Sequence, residues 1–169
     1  MIIRREQPSD YEEVHTLVSK AFASVPYGDG TEADYLDKLR GKDTFIPGLS
    51  FVATEDGQIV GQIVLYRTDI ATREGPQTQL LLSPISVHPD YFRRGIARAM
   101  TEHALAKAAA MGYRAVFLCG NPEIYKKLGF VPTYQYSISH RQDARAQWSM
   151  VRELYAGALQ GVEGMIDTV

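Results

Sequence analysis

Hydrophobic positions change period several times along the chain, and each change marks a predicted element. Ile2-Ile3-Arg4-Arg5 reads as a short first strand. Ser9 and Glu12 have the spacing of a capping box, in which each side chain satisfies an orphan backbone donor of the first helical turn. Val14, Leu17, Val18, Ala21 and Phe22 then recur at helical spacing and predict one buried face. The stretch Val25-Pro26-Tyr27-Gly28-Asp29-Gly30 ends that helix, and Tyr35, Leu36 and Leu39 predict a second, shorter one. From Leu49 the pattern becomes that of strands. Phe51-Val52-Ala53-Thr54 and the apolar run from Ile59 to Tyr66 flank Asp56-Gly57, a strong short-range hairpin signal.

Gln79 to Val87 is the next strand. Pro84 cannot donate to a ladder, which predicts an edge or a bulge there. A loop from His88 to Arg94 leads to a helix with Ile96, Met100, Ala104, Ala108 and Met111 on one stripe and Gly112 as its stop. Ala115 to Leu118 is a compact apolar strand, Ile124 to Leu128 a short helix ended by Gly129, and Phe130 to Ile138 a further strand. Trp148, Val151, Leu154 and Tyr155 suggest a last helix, with a closing strand in Val162 to Val169. No internal repeat or low-complexity tract interrupts this order. A hairpin followed by strand-helix-strand predicts an α+β (mixed α/β) fold, a mixed sheet with helices on its faces.

The length of 169 residues suits one domain spanning 1–169. A domain of that size buries roughly 68–70% of its unfolded surface and needs no metal or disulfide to hold its core. The charge balance is 18 Lys and Arg against 20 Asp and Glu, net −2. Nucleic-acid binders are usually basic, so nucleic acid is not the expected partner. Cys119 is the only cysteine, which excludes an intramolecular disulfide and a cysteine-rich zinc site. No histidine pair has metal spacing, and no metal is expected. The polar start of the chain lacks the apolar stretch of a signal peptide, and no apolar run approaches the ~18 residues of a span. The expected location is cytoplasmic, with no membrane partner.

The richest chemistry lies in Val87-His88-Pro89-Asp90-Tyr91-Phe92-Arg93-Arg94-Gly95-Ile96-Ala97-Arg98. A strand, a turn and a helix follow one another there, with arginines and a glycine at the helix start. Unpaired backbone N–H groups and the positive end of a helix dipole attract anions. Gly95 and Ala97 allow close approach to the backbone, while Arg93, Arg94 and Arg98 add donors suited to phosphate. The residues themselves describe a pyrophosphate cradle.

Here the sequence resembles the GNAT superfamily of acyl-CoA-dependent N-acetyltransferases. The family pattern Q/R-x-x-G-x-G/A falls on Phe92-Arg93-Arg94-Gly95-Ile96-Ala97, with Phe92 standing where the pattern has Gln or Arg. A second box, Y-x-x-x-G-F, falls on Tyr125 to Phe130. Many members carry an asparagine seven positions before that tyrosine; here Leu118 holds the position, and Asn121 is the nearest asparagine. The run Gly120-Asn121-Pro122-Glu123-Ile124-Tyr125, the early helix, the Glu32 to Arg40 segment and Leu49-Ser50-Phe51-Val52-Ala53 look like a bacterial subgroup of these enzymes. The resemblance covers about residues 2–135, with a C-terminal helix and strand completing the domain.

The resemblance implies a central, mostly antiparallel mixed sheet splayed to bind CoA, with helices on both faces. It also implies acetyl-CoA as cosubstrate and direct transfer of acetyl to a small-molecule or peptide amine in a ternary complex. Arg93, Arg94, Gly95, Ile96, Ala97 and Arg98 would hold the pyrophosphate, the backbone of Ile85, Ser86 and Val87 would pair with the pantetheine arm, and Asn121 would touch CoA. Tyr125 would protonate the departing thiolate. A thiol near ~8.5 and a phenol near ~10 make that transfer nearly balanced.

The nucleophile must be a neutral amine. At pH 7 deprotonating a free lysine costs ~4.6 kcal/mol, and an α-amine only about 1–1.4 kcal/mol. Glu32, Asp34 or a water chain are the candidate bases. His88 and Cys119 are expected in structural roles, the one in a turn and the other as a buried thiol, and His15 at the surface. Two rivals stay open: a catalytically silent acyl-CoA-binding or sensing module of the same fold, and a phosphate cradle for another nucleotide. The acceptor's identity and the oligomeric state, with a homodimer among the options, are open as well.

Overall fold

The computed structural model describes residues 1–168. Its chain divides into two compact units, one made of Met1–Tyr66 with Ser83–Ala104, the other of Arg67–Leu82 with the residues from Leu105 on. The strands are β1 (Ile2–Arg5), β2 (Phe45–Glu55), β3 (Gln58–Thr72), β4 (Gly75–Val87), β5 (Ala115–Cys119), β6 (Val131–Pro132), β7 (Ile138–His140), β8 (Ser149–Glu153) and β9 (Gly164–Ile166). The helices are α1 (Tyr11–Ala23), α2 (Glu32–Leu39), α3 (Ile96–Ala110) and α4 (Pro122–Tyr125), with short 3-10 turns between.

In the first unit β1 pairs antiparallel with β2, and β2 with β3. Asp56 and Gly57 form the predicted hairpin turn, both at positive φ (49° and 80°), the geometry that matches strand twist. Successive residues of β3 face opposite sides. Gly61 meets Ile96 and Met100 of α3, and Phe51 meets His103 edge-on at 4.8 Å. On the other face the Tyr66 hydroxyl bonds that of Tyr35 from α2. Helices thus cover both faces of this sheet, as the family resemblance implies. Val14, Leu17, Val18 and Ala21 of α1 are buried together with Ala33, Leu36 and Leu39 of α2. Each large side chain removed from water contributes roughly 1.5–3 kcal/mol. The buried Glu6 carboxylate accepts from Arg40 at 2.6 Å and from Ser50 at 2.8 Å, so this charge is paired.

The second unit is centred on β5, whose first four residues are buried. It pairs parallel with β4 at Leu80 and Leu81 and antiparallel with β8 over its full length. β6 continues beyond β8, while β9 pairs parallel with β7 and antiparallel with β3. The result is the expected mixed α/β fold with mostly antiparallel strands.

Four local expectations are corrected. The capping box is formed by Gln7 and Asp10, not Ser9 and Glu12. Asp10 is drawn there because Arg4 grips both its oxygens, at 2.7 and 2.9 Å. Met111 lies past the end of α3 and is 51% exposed, because Gly112 (φ 88°) turns the chain away. The strand expected over Phe130 to Ile138 shrinks to Val131–Pro132, since Pro132 lacks an N–H and Ser137 sits at φ 59°. The expected helix at Trp148 to Tyr155 is strand β8. A helix that short is marginal by itself, and five paired positions beside buried β5 outweigh its periodicity. The closing strand spans Gly164–Ile166, and Val169 lies outside the described residues.

Candidate active site

In the first unit, β4 ends in a tightly organised turn. The His88 N–H donates to Val60 O at 2.8 Å, and His88 Nδ1 accepts from the Asp90 N–H at 3.2 Å, capping the 3-10 turn Pro89–Tyr91. The expected turn-stabilising role of His88 is what the structure shows. Phe92 is extended and 44% exposed. Arg93 then adopts φ 63° and Gly95 φ 78°, and these two left-handed residues swing the chain into α3. The Ala99 N–H bonds Gly95 O at 3.0 Å as the first full turn closes, and the Ile96 and Ala97 amides before it lie ahead of any intrahelical acceptor. No acidic residue lies in that first turn, so the positive end of the dipole is not neutralised locally.

Gly95 is exposed, and a Cβ built on it would meet nothing within 4 Å. Its bare backbone opens onto free space that a small anion can fill. Arg93 and Arg98 are exposed beside it. The Arg94 guanidinium lies 4.7 Å from the Tyr91 ring centre and 3.9 Å from Glu55, still 56% exposed. This donor set of first-turn amides and neighbouring guanidiniums fits a diphosphate. Upstream, Ser83–Pro84 is cis, Ile85 and Val87 are half-buried, and Ser86 is buried with its hydroxyl turned to Gln62. The Ser86 side chain therefore serves the fold, which leaves only its backbone for a ligand.

In the second unit, Asn121 caps α4 by accepting from the Glu123 N–H at 2.9 Å. Its side-chain oxygen is thereby engaged in the fold. Tyr125, at the end of α4, is half-buried and stands edge-on to Phe130 at 6.1 Å. Gly129 at φ 82° ends the following 3-10 turn. Beneath the Tyr125 ring lies Gly120, which the sequence marks as the start of the Gly-x-Pro run before the tyrosine without giving it a role at the site.

The other candidates divide clearly. Glu32 accepts from the Asp29 and Gly30 N–H groups at 2.8 and 3.1 Å, so its carboxylate holds the loop before α2. Asp34 is exposed. His15 bonds Asp37 at 2.7 Å. Asp37 also pairs with Arg40, and the ligating atoms of His15, Asp34 and Asp37 lie within 4.8 Å of one another. Cys119 Sγ lies 3.2 Å from Thr168 O, and burial pushes its thiol up, away from the reactive thiolate. Among the described residues no helix is long and apolar enough to cross a membrane.

The family model of the acetyltransferase (GNAT) domain matches residues 2–133. The chain is 30% identical to the uncharacterized N-acetyltransferase YhbS of Escherichia coli K12 over 175 aligned positions, covering 99% of this chain and 95% of that protein. The crystal structure of E. coli YhbS in complex with CoA superposes with a TM-score of 0.84 at 26% identity, over 99% of this chain and 89% of that one. A GNAT family acetyltransferase from Brucella melitensis in complex with acetyl-CoA shares the fold, with a TM-score of 0.76 at 24% identity, over 99% and 95% of the two chains. The match spans both boxes, the cradle around Gly95 and the tyrosine at 125, and the chain belongs to the GNAT acetyltransferase family.

Proposed function

We propose that this protein, as one N-acetyltransferase domain over residues 1–169, moves an acetyl group from acetyl-CoA to an amine by direct attack in a ternary complex. The observation that carries the reading is the start of α3: a left-handed Gly95 opening onto free space, three arginines around it and no acidic residue in the turn. That YhbS and the Brucella protein were crystallised with CoA and acetyl-CoA supports the same ligand here.

Acetyl-CoA supplies the activated acetyl thioester. The backbone amides from Gly95 to Arg98, with Arg93, Arg94 and Arg98, hold the pyrophosphate. The main chain of Ile85, Ser86 and Val87 pairs with the pantetheine arm, and an N–H near Ile85 polarises the thioester carbonyl. The amine nitrogen bonds the carbonyl carbon, and the C–S bond breaks. The leaving sulfur takes the Tyr125 phenolic proton, and the proton shed by the nitrogen returns to the phenolate through water. Asn121 contributes to CoA binding through its side-chain NH2, since its side-chain oxygen caps α4 and its main-chain carbonyl accepts from the Ile124 and Tyr125 N–H groups.

With Glu32 fixed in its loop, the reading favours acceptors whose amine is neutral without a strong base, such as an α-amine of a small molecule or peptide. We place the enzyme in the cytoplasm. The test is an acceptor screen with acetyl-CoA read out by free thiol. Amine-dependent thiol release supports the reading. Tight acetyl-CoA binding with no turnover on any amine contradicts it and leaves a silent acyl-CoA-binding module.

A further inference from the structure

We infer that Gly120 is a positioning residue that sets the Tyr125 ring for proton transfer. The inference rests on the reading of Tyr125 as the acid. A Cβ built on Gly120 would overlap Cε2 of Tyr125, with Cδ2 at 2.8 Å and Cζ at 3.3 Å. Unbonded carbons pack at about 3.5–4.0 Å, so the ring lies on bare backbone that no other residue type offers.

The glycine is not there for its backbone freedom. Gly120 is absent from the positive-φ positions that Gly112 and Gly129 occupy, so an L-residue suits its main chain. What requires glycine is the ring above it. Its peptide is also fixed, because the Gly120 N–H donates to Trp148 O on the residue before β8, at 2.9 Å.

The return of the chain over Gly120 is built just as tightly. Asn121 caps α4, and Pro122 starts it with a preset φ. The Tyr125 N–H donates to Asn121 O at 3.2 Å, and Tyr125 O accepts from the Phe130 N–H at 3.1 Å. Phe130, 1% exposed, then presents its face or edge at 78° to the tyrosine ring. Gly120 below and Phe130 beside it leave the ring one seat, and a methyl at 120 removes that seat.

The test compares Gly120→Ala, Tyr125→Phe and the double variant in acetyl transfer, and follows contacts between Gly120 α-protons and the residue 125 ring by NMR. The expected result is a tenfold or greater fall in kcat for G120A with KM for acetyl-CoA unchanged, no further fall when G120A is added to Y125F, and NMR contacts present in the wild type and in Y125F. Wild-type kcat in G120A, or the full G120A loss persisting in the Y125F background, overturns the inference. If Y125F itself turns over like the wild type, the acid reading fails, and missing NMR contacts show separately that the ring does not sit on Gly120. Should G120A fold poorly, Tyr125→Ala provides the check. Removing the ring must erase the loss of Tm caused by G120A, and a loss that survives in Y125A contradicts the packing.

Discussion

Ser86 on β4 donates its hydroxyl proton to the side-chain oxygen of Gln62 on β3 at 3.3 Å, and the amide nitrogen of Gln62 meets no partner among the described residues. Gln62 is 0% exposed. A buried donor without a partner costs about 1–3 kcal/mol, so this pair is held at some expense on the strand segment assigned to the pantetheine arm. Ser86→Ala leaves both ends of the amide unpaired and is expected to lower stability by about 1–3 kcal/mol, whereas Ser86→Ala with Gln62→Met is expected to be close to neutral. Urea midpoints measure both. KM for acetyl-CoA should stay unchanged in Ser86→Ala, since only the main chain of Ser86 is assigned to the ligand; a large rise in KM would contradict that assignment.

Arg93 sets stability against binding. Its φ of 63° is a conformation that non-glycine residues hold at a cost of about 1–3 kcal/mol. Arg93→Gly is expected to raise the urea midpoint by relieving that strain while weakening acetyl-CoA binding roughly fivefold through loss of an exposed charge. Urea unfolding and a binding titration on the same variant check the opposite signs. A variant with unchanged affinity would remove Arg93 from the cradle.

Asp10 predicts a pH dependence. Hydrogen bonds from the Arg4 guanidinium hold its carboxyl below the usual 3.8, burial pushes the other way, and the Gln7 N–H reinforces the arginine. A depressed carboxyl stabilises the fold fully above its unfolded value, and that stabilisation is lost as pH falls through the lower folded value. Stability should therefore decline below about pH 4, and Arg4→Met should flatten that decline. Urea midpoints from about pH 6 down to about pH 3 measure it. Equal slopes in the two proteins would show that Arg4 does not set the carboxyl.

What was legible in the sequence followed local rules. Asp56-Gly57 demanded a turn of positive φ, α1 showed its stripe at Val14, Leu17, Val18 and Ala21, and Gly95 after two arginines announced the helix start. What stayed hidden depended on partners far along the chain. Ser149–Glu153 is a strand because β5 needs a second neighbour, and nothing within the segment says so. Asp10 became a cap because Arg4 reaches it. The run Gly120-Asn121-Pro122 marks a turn before Tyr125, but the contact of Gly120 with the ring five residues later is visible only in the fold, and Glu32 stands among the candidate bases until its loop amides are in place.

Acetyl-CoA binding depends on the amides at the start of α3, and isothermal calorimetry with acetyl-CoA tests them most directly. Gly95→Ala fills with a methyl the space that a Cβ would find empty. Saturable one-to-one binding by the wild type, weakened tenfold or more in Gly95→Ala, is the predicted result. No heat with the wild type, or equal affinity in the variant, would contradict the account.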